Sequence, residues 1–253
     1  MSRIAEVFKK RKALIPFIVA GDPNLALTEK LIYQLEEAGA DIIELGIPFS
    51  DPLADGPIIQ AAHSRALKKD VSLAQVFSLV KKARKKTNIP IVFMLSDNLI
   101  EKYGALKFYE DCTKLGVDGV IVPDLPPEEG GGKRETGKVD QIYLVAPTTS
   151  EERIKRIASA SAGFIYLVSV MGITGKRAGV SSEVPELVSR IKTHTQKPIA
   201  IGFGISNPAQ AWEAVRSADG VIVGSALVEL IAKKRFNKVV NLVAALRKAI
   251  DAR

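Results

Sequence analysis

The chain has 253 residues, 47% hydrophobic and 25% charged, with a formal net charge of +8. That length builds a substantial core as one domain, 1–253, and the composition is that of an ordinary globular protein. The positive residues are scattered rather than gathered in one stripe, which argues against nucleic acid. A single cysteine, Cys112, excludes an intrachain disulfide.

In chain order, RIAEVFKKRK (3–12) reads as an extra helix ahead of the first strand. Short apolar runs then recur: ALIPFIVA (13–20), DIIELGI (41–47), PIVFML (90–95), DGVIVP (118–123), QIYLVAP (141–147), FIYLVSV (164–170), PIAIGFG (198–204) and DGVIVGS (219–225). Each is short, rich in Val and Ile and without clean alternation, the signature of parallel strands covered on both faces. Amphipathic stretches lie between them, among them TEKLIYQLEEAGA (28–40), LAQVFSLVKKARKK (73–86), ALKFYEDCTKLG (105–116) and PELVSRIKTH (185–194). Eight strands alternating with helices predict an α/β fold, a single (β/α)8 TIM barrel with an extra N-terminal helix. A doubly wound open sheet needs edge strands, and none of the eight runs is conspicuously polar.

No apolar h-region follows Met1, and no apolar run approaches the roughly 20 residues of a membrane helix. A reducing compartment is the default for one cysteine, so a soluble, cytoplasmic protein is expected, without membrane contact. Cys112, His63 and His194 leave little for a soft-metal site, and none is expected. Neither GxxxxGK[ST] nor GxGxxG stands between a strand and a helix, and Lys138 and Lys176 fall in loops, which leaves no candidate Schiff-base lysine on a strand. The net positive charge suits a phosphorylated small substrate.

In a barrel of this kind the chemistry sits at the C-terminal ends of the strands. Glu44 stands in the middle of DIIELGI, where a carboxylate costs several kcal/mol unless paired or neutralised. Period two places Ile42, Glu44 and Gly46 on one face, so Glu44 projects into the barrel mouth. A structural ion pair is one reading; an apolar wall that raises its pKa and makes it a proton-transfer group is the other. The proline-stiffened loop PFSDPLADGP adds Asp51, which reads as a turn-former, and Asp55. Later, MGITGKR (171–177), GFGIS (202–206) and VGSALVELI (223–231) bring three glycine-bearing turns and a short helix start to one neighbourhood, a pattern suited to binding phosphate.

Seven segments in order, PFIVAGDP, ELGIPFSDPLADGPIIQ, GVDGVIVPDLPPEE, LVAPTT, YLVSVMGITG, GFGIS and GVIVGSALV, resemble the tryptophan synthase alpha subunit family across nearly the whole chain. The resemblance implies cleavage of indole-3-glycerol phosphate to indole and glyceraldehyde 3-phosphate. Indole then passes to a beta subunit within an αββα complex. No cofactor is implied for this chain, and pyridoxal phosphate is expected only in the beta subunit. By motif, Glu44 and Asp55 match the family's catalytic carboxylates, one wanting an apolar environment and the other a solvated one. Gly175, Gly204, Gly224 and Ser225 match phosphate-binding positions, Thr174 a loop residue that orders the site, Tyr166 a tyrosine beside the substrate and Phe17 the indole pocket. Pro48 and Asp124 fall in segments used at the beta-subunit interface.

The chain departs from the family pattern twice. Ser96 and Asp97 replace a common tyrosine pair, with Asn98 retained, so a stand-alone indole-3-glycerol phosphate lyase and a catalytically silent partner subunit stay open as alternatives. The stretch PPEEGGGKRETGKVDQ has no apolar stripe and three consecutive glycines, each costing about 1 kcal/mol in a helix. A missing or frayed fourth helix over about 128–140 is therefore expected.

Overall fold

A computed structural model describes residues 2–52, 55–129, 138–168, 183–202 and 204–252. Nine parallel strands form one sheet: β1 (Ala13–Val19), β2 (Ile43–Gly46), β3 (Ile91–Met94), β4 (Gly119–Ile121), β5 (Asp140–Ile142), β6 (Leu144–Val145), β7 (Ile165–Val168), β8 (Ile199–Gly202) and β9 (Gly220–Val223). Their order is β5-β4-β3-β2-β1-β9-β8-β7-β6. The two outermost strands are separated in sequence only by Tyr143, so the sheet closes on itself through one short piece of chain. The expected fifth strand, 141–147, is therefore two strands. β5 pairs with β4 and β6 pairs with β7, while the Tyr143 carbonyl accepts from the Tyr166 amide at 3.0 Å. The other strands fall inside the apolar runs, trimmed at their ends.

The helices are α1 (Arg3–Lys10), α2 (Leu25–Glu37), α3 (Pro57–Leu67), α4 (Leu73–Ala83), α5 (Asp97–Tyr103), α6 (Ala105–Leu115), α7 (Glu151–Ala160), α8 (Glu183–Lys192), α9 (Pro208–Val215), α10 (Ser225–Ala232) and α11 (Phe236–Asp251). The extra N-terminal helix is present as α1. Its start is capped by the Ser2 hydroxyl, and Ile4 and Phe8 pack inward, the Phe8 ring 5.5 Å from that of Phe164. The expected gap in the fourth helix falls mainly on 130–137, outside the described residues.

Ion pairs hold the N-terminal end of the barrel. Asp41, just before β2, accepts the Leu14 amide at 2.8 Å and binds Arg11 at 2.6 Å and Arg247 at 2.8 Å. Asp118, just before β4, accepts the Ile91 amide at 2.8 Å and binds Arg3 and Arg84. Asp219, just before β9, accepts the Ile199 amide at 3.0 Å and binds Lys192 at 2.7 Å. Each aspartate bonds an amide at the start of a neighbouring strand, the first in β3 and β8 and the second in β1, and meets one or more cations. Part of the scattered positive charge therefore works here, including Arg11 of the KKRK run. The opposite end is left to the loops. Among the described residues no helix is long and apolar enough to cross a membrane.

Candidate active site

Glu44 is 1% exposed. Strand pairing sets it level with Phe17 on β1 and Val92 on β3. Neither of its carboxylate oxygens has a hydrogen-bond partner among the described residues. The ion-pair reading of this residue therefore has no support among them. Burial, and secondarily the charge of Asp55, push its pKa up to about 8 from an ordinary 4.5, which keeps the carboxyl mostly protonated at neutral pH.

A cavity of about 160 Å³ opens over it at the C-terminal ends of the strands. Glu44, Asp55, Phe17 and Tyr166 line it together with Gly204, Ser206, Gly224 and Ser225. Ile59, Met94 and Ile222 complete the apolar wall. Every described site residue expected from the sequence is thus in one chamber; Thr174 and Gly175 lie outside the described residues.

Two strand glycines make room for the rings. A Cβ on Gly46 would come 2.7 Å from Phe17 Cζ, and one on Gly202 would overlap the Tyr166 ring. Phe17 and Tyr166 are consequently both core and cavity wall, being 3% and 5% exposed. Burial, with Glu44 and Asp55 nearby, raises the Tyr166 phenol well above its ordinary pKa, so it stays neutral.

The glycine-bearing turns leave backbone donors open. Gly204 adopts φ +77°, open to glycine at little cost. Helix α10 begins at Ser225 with no side-chain cap. Its first amide bonds run from Leu227 and Val228 to the Gly224 carbonyl, so Ser225 and Ala226 carry the open donors of a helix start.

Asp55 is less solvated than its motif implies. Its side chain is 13% exposed, and Oδ2 stands 3.2 Å from His63 Nε2. The loop before it turns through an Asp55 amide to Pro52 carbonyl bond at 3.0 Å. Gln60 donates to the Asp55 carbonyl at 2.8 Å. His63 belongs to the site but was counted in the sequence only as a possible metal ligand. Its position with Ile59, Ala62 and Ala66 on the buried face of α3, at spacings of three, four and seven, was the signal that could have found it. Among the described residues no group of three metal-ligating side chains forms a metal site.

A second chamber, about 260 Å³, shares Phe17, Asp55 and Met94 with the first and runs out to Ser96, Asn98 and Asp124. There the Ser96 hydroxyl and the Asp97 amide donate to Asp124 at 2.6 and 3.0 Å. The substituted residues at 96 and 97 are therefore tied to the segment after β4.

The family model described as tryptophan synthase alpha chain matches residues 4–251. A tryptophan synthase alpha chain of Geotalea uraniireducens is 46% identical over 264 aligned positions, covering 100% of this chain and 99% of that protein. One from Lacticaseibacillus casei is 47% identical, covering 100% and 97%. Among solved structures, tryptophan synthase subunit alpha from Legionella pneumophila superposes with a TM-score of 0.89 at 37% identity, covering 100% of both chains. A Mycobacterium tuberculosis tryptophan synthase chain gives 0.91 at 36%, covering 100% and 99%. A family model spanning nearly the whole sequence, full-length relatives and full-length structural matches agree: this chain belongs to the tryptophan synthase alpha chain family.

Proposed function

We propose that Glu44 and Asp55 divide the proton and charge work of the alpha reaction, the retro-aldol cleavage of indole-3-glycerol phosphate to indole and glyceraldehyde 3-phosphate. As a tryptophan synthase alpha chain, the protein is a lyase of tryptophan biosynthesis. The observation that carries the assignment is a fully buried carboxyl, unpartnered among the described residues, in an apolar wall that raises its pKa. Such an acid can give its proton to indole C3, which makes the bond to the glycerol chain cleavable. The resulting carboxylate then takes the hydroxyl proton of the glycerol carbon as that bond breaks, which returns Glu44 to its starting state. Asp55 faces the positive charge that develops on the indole nitrogen. A group that gives and takes protons in one cycle works best with a pKa near the operating pH.

The turns at Gly204 and Gly224–Ser225 hold the phosphate by backbone amides and the α10 helix start, and the family motif adds Gly175 to the phosphate site and Thr174 to the residues that order it. Phe17 and Tyr166 flank the indole ring. The second chamber offers an apolar product a way out toward Ser96 and Asp124, on the side assigned to the beta subunit of an αββα heterotetramer. Indole would be condensed there on the pyridoxal phosphate that the beta subunit carries. This chain itself works without a cofactor, in the cytoplasm, as one barrel domain.

The test is indole release from indole-3-glycerol phosphate, with and without a tryptophan synthase beta subunit. Cleavage that the partner accelerates is the expected result. Full turnover without the partner would move the reading to a stand-alone lyase, and no turnover in either condition would refute catalysis.

A further inference from the structure

Helix α3 is anchored from outside the site. Arg65 donates to Asp22 through Nε and Nη2, at 2.8 and 2.7 Å, and Asp22 is 3% exposed. One turn earlier along the helix, Gln60 and His63 reach back to the loop that carries Asp55. His63 touches that loop at both of its ends: Nε2 lies 3.2 Å from Asp55 Oδ2, and Nδ1 lies 3.4 Å from the Phe49 amide nitrogen. The imidazole is 5% exposed.

These two contacts decide the tautomer. A backbone amide can only donate, so Nδ1 is the bare nitrogen, Nε2 carries the proton, and that proton is directed at the carboxylate. Any other protonation state faces one donor with another. We propose that His63 is a positioning residue for the alpha reaction: as a neutral donor fixed by Phe49, it orients the Asp55 carboxylate toward the chamber and clasps the loop onto helix α3. The inference rests on the assignment of Asp55 to the site.

Neutrality matters as much as direction. A lysine or arginine at this place would hold Asp55 equally well but cancel its charge, which the developing indole cation needs. A neutral imidazole bonds one oxygen and leaves the charge available. Such an arrangement acts on the chemical step more than on substrate affinity, because the phosphate is assigned to the turns at Gly204 and Gly224–Ser225 and not to Asp55.

The experiment measures kcat and KM for indole release in His63→Leu, His63→Gln, Asp55→Asn and the double variant Asp55→Asn/His63→Leu. Leucine fills the site without a donor, whereas the glutamine amide can still donate to Asp55. His63→Leu is expected to lower kcat about tenfold or more with KM within about threefold. His63→Gln should regain at least about a third of the wild-type kcat. In the Asp55→Asn background, His63→Leu should cost less than about twofold more, because both changes remove one coupled unit. Wild-type kcat in His63→Leu, no rescue by glutamine, or an undiminished penalty in the double variant would each overturn the role of His63. Wild-type turnover in Asp55→Asn would instead overturn the reading of Asp55 itself, and the inference with it.

Discussion

Phe17 and Glu44 are partners across the β1–β2 ladder, so their side chains leave the sheet on the same face and meet in the same chamber. The aromatic ring helps keep water off the carboxyl, and Gly46, two residues along β2, leaves the ring space to lie there. Acid and wall are thus set by one register. A one-residue slip of β2 would turn Glu44 to the other face of the sheet and bring Leu45 into the chamber.

Glu44→Gln keeps the shape and removes the transferable proton. Indole release should fall by a factor of about 10² or more, while binding of a phosphate-bearing substrate analogue, followed by calorimetry, stays within a few-fold. Retained turnover would shift the proton transfer to another group.

The same substitution should change how stability depends on pH. In the folded chain Glu44 loses its proton near 8, but in the unfolded chain near the ordinary 4.5. Between those values the folded state holds the extra proton, so this group's contribution to stability declines as pH rises and levels off above about 8. Glu44→Gln removes the decline. Its Tm relative to the wild type should be higher at pH 8 than at pH 4.5 by about 2–4 °C or more, equivalent to about 1 kcal/mol in a chain of this size. Equal offsets at both pH values would count against a raised pKa.

A protonated acid at the start of the cycle also predicts an alkaline limb. The rate constant kcat/KM for indole release should be level toward neutrality and fall as pH rises through about 8, because that parameter reports the free enzyme. An acid limb alone, with no decline up to pH 9, would contradict it.

Gly204→Val probes the anion side. At φ +77° a β-branched residue is strained by about 1–2 kcal/mol, and its side chain would obstruct close approach of the phosphate. KM should rise about tenfold or more with a smaller change in kcat. An unchanged KM would place the phosphate elsewhere.

Asp41→Ala tests the opposite end of the barrel. Arg247 is nearly as buried as its partner, with side chains 8% and 5% exposed. Removing Asp41 leaves Arg247 its half-exposed partner Asp251 and the Lys12 carbonyl but strips the buried Leu14 amide of its acceptor, so the loss should be about 1–3 kcal/mol in chemical denaturation. A loss below about 0.5 kcal/mol would show that Asp251 and water together replace Asp41.

The barrel was legible in the sequence because parallel strands covered on both faces are continuous apolar runs, which recur here in alternation with amphipathic stretches. What escaped was local. Tyr143 continues the apolar run through QIYLVAP, and the break there arises from which neighbours each half pairs with, a tertiary fact. Helices α3 and α5 sit in stretches read first for their loops. Glu44 stood out because a lone acid in an apolar run is conspicuous. His63 did not, because a histidine on a helix gives no sign of the carboxylate it meets until the loop before the helix folds back. The solvated setting implied for Asp55 failed for the same reason: its loop places it against that histidine.

The clasp at Asp41 joins Arg11 near the beginning of the chain to Arg247 near its end. A ribosome delivers Arg11 long before Arg247. Until helix α11 emerges, Asp41 has only its more exposed arginine, and the first strands wait for the last helix to secure them. Nascent chains stopped short of residue 247 should therefore remain protease-sensitive around β1 and β2, and the emergence of helix α11 becomes the moment at which the barrel floor locks.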